Sequence, residues 1–153
     1  MDDLFLVSTM TLSTQGPEGP HAVPVYYAAE PTQELEALLN QGQAGLRLYF
    51  LSDPDSLHGR HLVANPQAAA AIYPAAPEGW QNIRGLQMHG VVQRLEVGPA
   101  WEKAWQCYKT KFPFVAMLKQ IVALNALYAF TPTWLRLVDN ARGFGFKQEW
   151  VIK

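Results

Sequence analysis

Between Leu46 and Pro66 the chain reads LRLYFLSDPDSLHGRHLVANP, and four side chains able to handle an anion or a proton fall close together in it: Ser52, Ser56, His58 and Arg60. Their chemistry follows from where they stand. The alternation of Leu46, Leu48, Phe50 and Ser52 with Arg47, Tyr49 and Leu51 predicts a strand. Ser52-Asp53-Pro54 then turns the chain, with Asp53 placed to cap a helix and Pro54 suited to its first position. A short helix is expected from Ser56 to Ala64, stopped at Asn65-Pro66 because a proline disfavours helical geometry in the residue before it. Such a helix start is an anion seat: several amide N–H groups point outward unpaired, and the peptide dipoles favour negative charge. His58 and Arg60 in its first turns would add positive charge. An ordinary capped surface helix accounts for the same residues, and both readings stand at this point.

The other constellations carry less. His21, His58, His61 and His89 are the four histidines. His58 and His61 share one helical face, but no HExxH or carboxylate-bracketed pattern accompanies them, so no metal site is expected. No G-x-S-x-G elbow marks a nucleophilic serine, and Cys107, beside Trp105 in a helical pattern, reads as a small buried hydrophobe. Neither a P-loop nor G-x-G-x-x-G is present. Gly143-Phe144-Gly145-Phe146 reads equally as a bulged hairpin and as a backbone ledge, with Phe144 or Trp150 lining a planar ligand. A flavin-binding protein leaves the electron chemistry to its cofactor and needs no catalytic side chain of its own. The lack of one fits that class, and fits a protein without chemistry as well.

The elements that must position these residues are mostly strands. Leu4 to Ser13 and His21 to Ala29 form a hairpin across Gln15-Gly16-Pro17-Glu18-Gly19-Pro20. Pro24 removes a ladder donor from the second strand and predicts an edge, a bulge or a departure from the sheet there. Gln33 to Asn40 is expected to make one or two helical turns. In Gln67 to Tyr73 the run of alanines predicts close packing against something bulky. Pro74 to Gln81 is a loop carrying Pro77 and an exposed Trp80. Asn82 to Val97 is the longest strand-like run, and Gly85 and Gly90 in it mark sharp coiling or the close approach of another backbone or of a ligand. Trp101, Ala104, Trp105 and Tyr108 recur at helical spacing, and beyond Pro113 a second stripe follows in Phe114, Met117, Leu118, Ile121 and Val122. Leu127 to Asp139 and Phe144 to Ile152 read as two closing strands around Asn140–Gly143. So many strands with short helical insertions predict a closed barrel.

A chain of 153 residues suits a single domain over its whole length, 1–153, with room for a substantial core. A net charge of −1 and a charged fraction of 16% argue against a nucleic-acid partner, which asks for a basic face. One cysteine, Cys107, excludes an internal disulfide and fits a reducing compartment. The start MDDLFLVSTM lacks the basic region of a signal peptide, and no apolar run approaches the ~20 residues of a membrane span. The expectation is a soluble cytoplasmic protein with no membrane partner. Five Trp, seven Phe and six Tyr are many for so short a chain, and predict a flat-ligand pocket or a large dimer interface as well as an ordinary core.

The order of the motifs carries a resemblance. Pro24-Val25-Tyr26, the strand Leu48-Tyr49-Phe50-Leu51-Ser52, the helix start Ser56-Leu57-His58-Gly59-Arg60, Asn65-Pro66, and Ile83-Arg84-Gly85-Leu86-Gln87-Met88-His89-Gly90 together resemble the pyridoxamine 5′-phosphate oxidase-like family of FMN-binding split barrels. The similarity runs in ordered pieces from Leu6 to Leu95. The tail, Arg136-Leu137-Val138-Asp139-Asn140 with Gly143-Phe144-Gly145-Phe146-Lys147, is similar to a small branch of those barrels.

The resemblance implies a mainly β protein with helical insertions: a six-stranded antiparallel split barrel that forms a homodimer with two FMN sites at its interface. The family holds the FMN phosphate on the helix start after the third strand, usually through a Ser-Arg-Lys triplet. Ser56 keeps the serine, whereas Leu57 and His58 stand where the two basic residues belong. Charge-assisted bonds are roughly twice as strong as neutral ones, so that exchange removes a large term, which His58, Arg60 and the helix N-terminus would partly replace. Leu51 and Ser52 match positions whose backbone and side chain meet the flavin. Val23, Pro24 and Val25 match the strand that edges its ring system, and Gln87 a polar contact. Phe144 and Trp150 of the partner subunit would cover the ring. The family's pyridoxal-phosphate contacts are not visible, so pyridoxamine phosphate oxidation itself is not expected. The first reading is therefore an FMN-dependent oxidoreductase with an unknown small-molecule substrate, favoured by the aromatic count and by Ser52 and Ser56. The second is a non-catalytic split-barrel module that has lost tight FMN binding and holds another planar ligand such as haem, favoured by Leu57 and His58. A third, a deazaflavin-dependent reductase, would want a more basic pocket.

Overall fold

The computed structural model describes residues 1–30, 34–43, 45–75 and 78–153. The expectations placed on Gln33 and Pro77 lie outside the described residues. The elements are β1 (Thr9–Gly16), β2 (Gly19–Ala29), α1 (Leu35–Asn40), β3 (Leu48–Ser52), α2 (Leu57–Ala64), β4 (Gln67–Ile72), β5 (Arg84–Arg94), α3 (Pro99–Lys111), α4 (Lys119–Ala123), β6 (Ala126–Asp139) and β7 (Lys147–Val151), with 3-10 turns at Asp2–Leu6, Trp80–Asn82, Pro113–Met117 and Asn140–Arg142.

The sheet runs β3-β2-β1-β4-β5-β6-β7, and β3 pairs back onto β6, so six strands close into a ring. Every pairing is antiparallel. The expected six-stranded antiparallel barrel is present, with β7 as a seventh strand outside the ring. β6 makes this possible by its length. Its first half, Ala126–Phe130, gives one edge to β3, and Trp134–Val138 gives the continuation of that edge to β7.

Alternation fills the interior. Leu12, Tyr27, Leu48, Phe50, Ile72, Leu86, Met88, Phe130 and Leu135 are almost wholly buried in one cluster, each such side chain contributing about 2 kcal/mol of transfer free energy. In β4, Ala68 and Ala70 face that core, while Ala69 and Ala71 lie half-buried on the outer face. The glycines of β5 are close approaches, as their positions implied: a Cβ on Gly85 would stand 2.7 Å from the Ile72 carbonyl, and one on Gly90 would overlap the Thr131 carbonyl. On the outside, α3 lays Ala104 and Tyr108 across β2, β3 and β6, covering Ala28, Tyr49, Leu51 and Leu127.

Two expected strands are shorter than their patterns. The stretch from Leu4 opens as a 3-10 turn and becomes strand only at Thr9, because Lys111 Nζ reaches in to take the carbonyls of Phe5 (2.9 Å) and Val7 (2.7 Å), which are then not available to a ladder. The last strand begins at Lys147, since Asn140 holds the preceding turn through its side chain, accepting from Gly145 N at 3.0 Å and donating to the Trp80 carbonyl at 2.9 Å. The stripe beyond Pro113 is mostly outside the core: Phe114, Met117, Leu118 and Ile121 are exposed.

Candidate functional site

β2 pairs with β3 only over Tyr27–Ala29, whereas Gly19 to Tyr26 pairs with β1 alone. Among the described residues, the other edge of β2 through Val23, Pro24 and Val25 therefore has no strand partner. Pro24, with no N–H to offer, suits such an edge. Val23 and Val25 turn their side chains toward the barrel core, so what they present at the edge is backbone.

β3 ends at Ser52 beside this opening, and the chain turns into α2. Asp53 does not cap the helix, contrary to expectation. Its Oδ1 accepts from Asp55 N (2.8 Å) and shapes the turn, because Pro54 and Asp55 come before any helical residue. The cap is Ser56, in extended geometry, whose Oγ accepts from Gly59 N (3.2 Å) and donates to the Asp53 carbonyl (2.6 Å). Gly59 is what lets the turn fold onto the helix: a Cβ there would stand 2.5 Å from the Pro54 carbonyl and 2.8 Å from that of Asp53. Arg60 bends back over the same turn and donates from Nη1 to the Asp55 carbonyl (2.6 Å), with its side chain exposed.

His58 lies beneath the cap, 7% exposed. Its Nε2 is hydrogen-bonded to Ser52 Oγ and lies 3.2 Å from Ser56 Oγ. Burial holds its pKa below the ordinary value, with His21 and His61 adding to that effect and Asp53 opposing it. The imidazole is thus neutral near pH 7, and Arg60 carries the full positive charge at this helix start. His21 of β2 stacks on His58 with centroids 6.3 Å apart and meets His61 edge-on at 6.1 Å. His61 Nδ1 is bonded to Thr14 Oγ1 (3.0 Å), while its buried Nε2 makes no hydrogen bond and has Glu18 Oε2 at 3.3 Å as an ion-pair neighbour. The ring fits only because Gly16 has no Cβ to overlap it. Among the described residues no three His, Cys, Asp or Glu stand as a metal cluster. The corner can hold an oxyanion on a capped helix start, and it can pass a proton among two hydroxyls and an imidazole.

Ser52, Ser56, His58 and Arg60 are therefore together, with the backbone edge of Val23, Pro24 and Val25 alongside. The other expected residues are elsewhere. Leu51 pairs with Leu127 and points outward under α3 beside Trp105. Gln87 stands on the outer face of β5, three strands along the sheet from β2, and accepts from Arg136 Nη1 at 3.3 Å. Phe144 is 82% exposed on its turn, edge-on to Trp80 at 5.4 Å. The expectation for Trp150 is corrected: it is 5% exposed, with Nε1 donating to Asn40 Oδ1 (2.7 Å), because the alternation of β7 turns it into the core beside α1. Buried in its own protomer, it is not free to cover a ring bound by another. Sequence reasoning missed His21, His61, Thr14, Glu18 and Gly59 as members of the corner. The i, i+3 spacing of His58 and His61 was a local signal for one of them; nothing local placed His21.

A roomy cavity lies in a different place. About 850 Å³ lies between the Asp2–Leu6 turn, the end of β2, α1 and α3, walled by Phe5, Leu6, Leu35 and Leu46. Two of its polar groups, Lys111 and Cys107, are engaged. Lys111, held over the Tyr27 ring at 4.1 Å as well as by its two carbonyls, has its pKa pulled down to about 8 by burial. The Cys107 thiol, pushed up by burial, donates to the Ala29 carbonyl at 3.2 Å.

A family model described as pyridoxamine 5′-phosphate oxidase matches residues 6–139. UPF0306 protein YhbP of Escherichia coli is 32% identical over 110 residues, covering 67% of this chain and 65% of that protein, so the match spans just under two thirds of the relative's length. A haem-binding protein from Mycobacterium smegmatis superposes with a TM-score of 0.71 at 23% identity, over 95% of this chain and 53% of that one. HutZ, a haem storage protein from Vibrio cholerae, superposes with a TM-score of 0.64 at 15% identity, over 86% of each chain. At these identities the two structures share the fold. No described helix is long and apolar enough to cross a membrane.

Proposed function

The chain belongs to the pyridoxamine 5′-phosphate oxidase family, and from that premise we propose that it is a cytoplasmic, homodimeric FMN-binding protein acting as an oxidoreductase on a small molecule. The observation that carries the reading is the helix start at the β3–α2 corner: a serine cap, first-turn amides and an arginine bent over the same turn, beside an unpaired strand edge. A phosphate fits there. Ser56 and the first-turn amides would hold its oxygens, and Arg60, now on a backbone carbonyl, would supply the charge. The unpaired edge of Val23, Pro24 and Val25 offers backbone groups to a flat ring system. FMN, when bound, supplies electron or hydride transfer; this chain's residues bind and orient it and exclude water. Phe144 of the partner subunit, exposed on its turn, is the remaining candidate to cover the ring, and Gln87 would join the site only from a second copy.

The test is a titration with FMN followed by quenching of its fluorescence, on the purified protein and on Ser56→Asp. Aspartate is itself a good helix cap, so the helix and the dimer persist while a carboxylate faces the phosphate. FMN binding should be lost in that variant, with the elution volume of the dimer unchanged. Unchanged affinity would move the phosphate to another place.

A second reading, a module holding haem, draws on the outer face. His89 is exposed and stacked on Trp134 at 4.7 Å, with Arg136 over the same indole, above the small side chains Ala69 and Ala71. A flat face with an accessible imidazole suits an iron porphyrin, which takes a neutral histidine as ligand. Both superposed neighbours are described as haem proteins. A haem-like absorption band on adding haemin, lost in His89→Ala, would favour this reading.

A further inference from the structure

We propose that His58 makes phosphate binding at the β3–α2 corner depend on pH, serving as a cation that appears only when the phosphate arrives. The inference rests on the FMN reading and concerns the regulation of that same site. Its basis is the arrangement around one nitrogen. His58 Nε2 stands between the Ser52 hydroxyl at the end of β3 and the Ser56 hydroxyl that caps α2, directly under the turn that would hold the anion. A site with permanent charges binds a dianion equally on either side of neutrality. Here Leu57 has no charge, and His58 is buried.

The surroundings of His58 define the switch. From β2 comes His21, stacked on it; from α2 come His61 one turn along and Arg60 at the surface; from the β3–α2 turn comes Asp53; from the β1–β2 turn comes Glu18, engaged with His61. Without a ligand, burial and the neighbouring imidazoles keep His58 neutral, outweighing Asp53. A phosphate dianion over the Ser56 cap reverses the balance by adding nearby negative charge, so binding takes up a proton on His58. Protonated, Nε2 donates to Ser52 Oγ, and the hydrogen of that hydroxyl, which in the Nδ1–H neutral form points at Nε2, is released toward the anion. One proton is bound, no covalent bond changes, and one more donor faces the phosphate. By linkage, FMN affinity then rises as pH falls through neutrality.

The experiment compares FMN with riboflavin, which has the same ring and no phosphate, by fluorescence titration of the intact protein from pH 8.5 to pH 6.5. The FMN dissociation constant should fall about tenfold over this range while that of riboflavin stays level, a coupling of ordinary size for two linked sites. His58→Lys should bind FMN tightly with a flat profile, and His58→Gln weakly with a flat profile. The second ionisation of the FMN phosphate, near pH 6, is common to all three proteins and divides out of the ratios. A flat wild-type FMN profile, or one parallel to that of riboflavin, would overturn this inference and leave FMN binding standing. No quenching of FMN by the wild type or by His58→Lys at any pH would overturn the FMN reading, and this inference with it.

Discussion

At the β3–α2 corner a neutral histidine, two hydroxyls and an arginine surround a helix start that faces solvent. Under α3 a cavity of about 850 Å³ has Lys111, Cys107 and Glu30 on its walls, all engaged: Lys111 with two carbonyls, Cys107 with the Ala29 carbonyl, and Glu30 with Lys103 and with Tyr49 Oη at 2.6 Å. The two places differ in what their polar groups are free to do. In the corner, Arg60 is exposed and can leave its carbonyl, and His61 Nε2 is buried without a hydrogen bond. In the cavity, each of those side chains ties one element to another. Size therefore favours the cavity, and the proposed phosphate site rests instead on an exposed arginine at a capped helix start.

Substitutions can break that contrast. After the loss of FMN binding expected in Ser56→Asp, the largest effect should come from Gly59→Ala. Its methyl meets two turn carbonyls, and overpacking of that kind costs about 3 kcal/mol. The midpoint of urea unfolding should fall accordingly, and FMN affinity with it. Lys111→Met should lower stability by about 2 kcal/mol, because the Phe5 and Val7 carbonyls lose their donor, yet leave FMN affinity unchanged. If flavin binding fell in Lys111→Met, the two regions would not be separate.

The same lysine gives a pH signature in stability, whereas the one proposed for His58 is in FMN affinity. Its ordinary value is 10.5 and burial lowers it to about 8, so between these values the unfolded chain binds more protons than the folded one. Stability should then rise from about pH 8 to pH 10.5, and Lys111→Met should remove the rise, which thermal melts across that range would measure. The smallest effect is expected of Cys107→Ala: under about 1 kcal/mol, with no change in binding, since a single hydrogen bond from a weak thiol donor is lost.

Much of the corner was legible in the amino-acid sequence. The strand leading to Ser52 and the helix ended by Pro66 rest on contacts between near neighbours in the chain. The open edge at Pro24 and the close approaches at Gly85 and Gly90 were marked by residue type alone, their partners, Ile72 and Thr131 among them, being distant in sequence. Asp53 misled because two positions compatible with capping lie three residues apart, and the choice depended on where Pro54 and Asp55 placed the turn. Trp150 misled for a different reason. An aromatic near a terminal glycine turn carries no mark of which face it takes until its strand has a partner; once β7 lies along β6, the alternation sends it to Asn40 and the core.

By itself, then, the amino-acid sequence determined the local grammar: alternation for strands, Ser56 at a helix start, a proline stop at Pro66, and a six-stranded antiparallel barrel through the order of its motifs. The tertiary structure alone decided that β3 closes on β6, pairing Leu48 with Phe130, and that His21 of β2 meets His58 and His61 of α2. The physical reason is the range of the forces involved. Backbone propensity and capping act between residues a few positions apart. Ring closure and imidazole clustering depend on which register buries the most apolar surface, and that is settled only when distant strands meet.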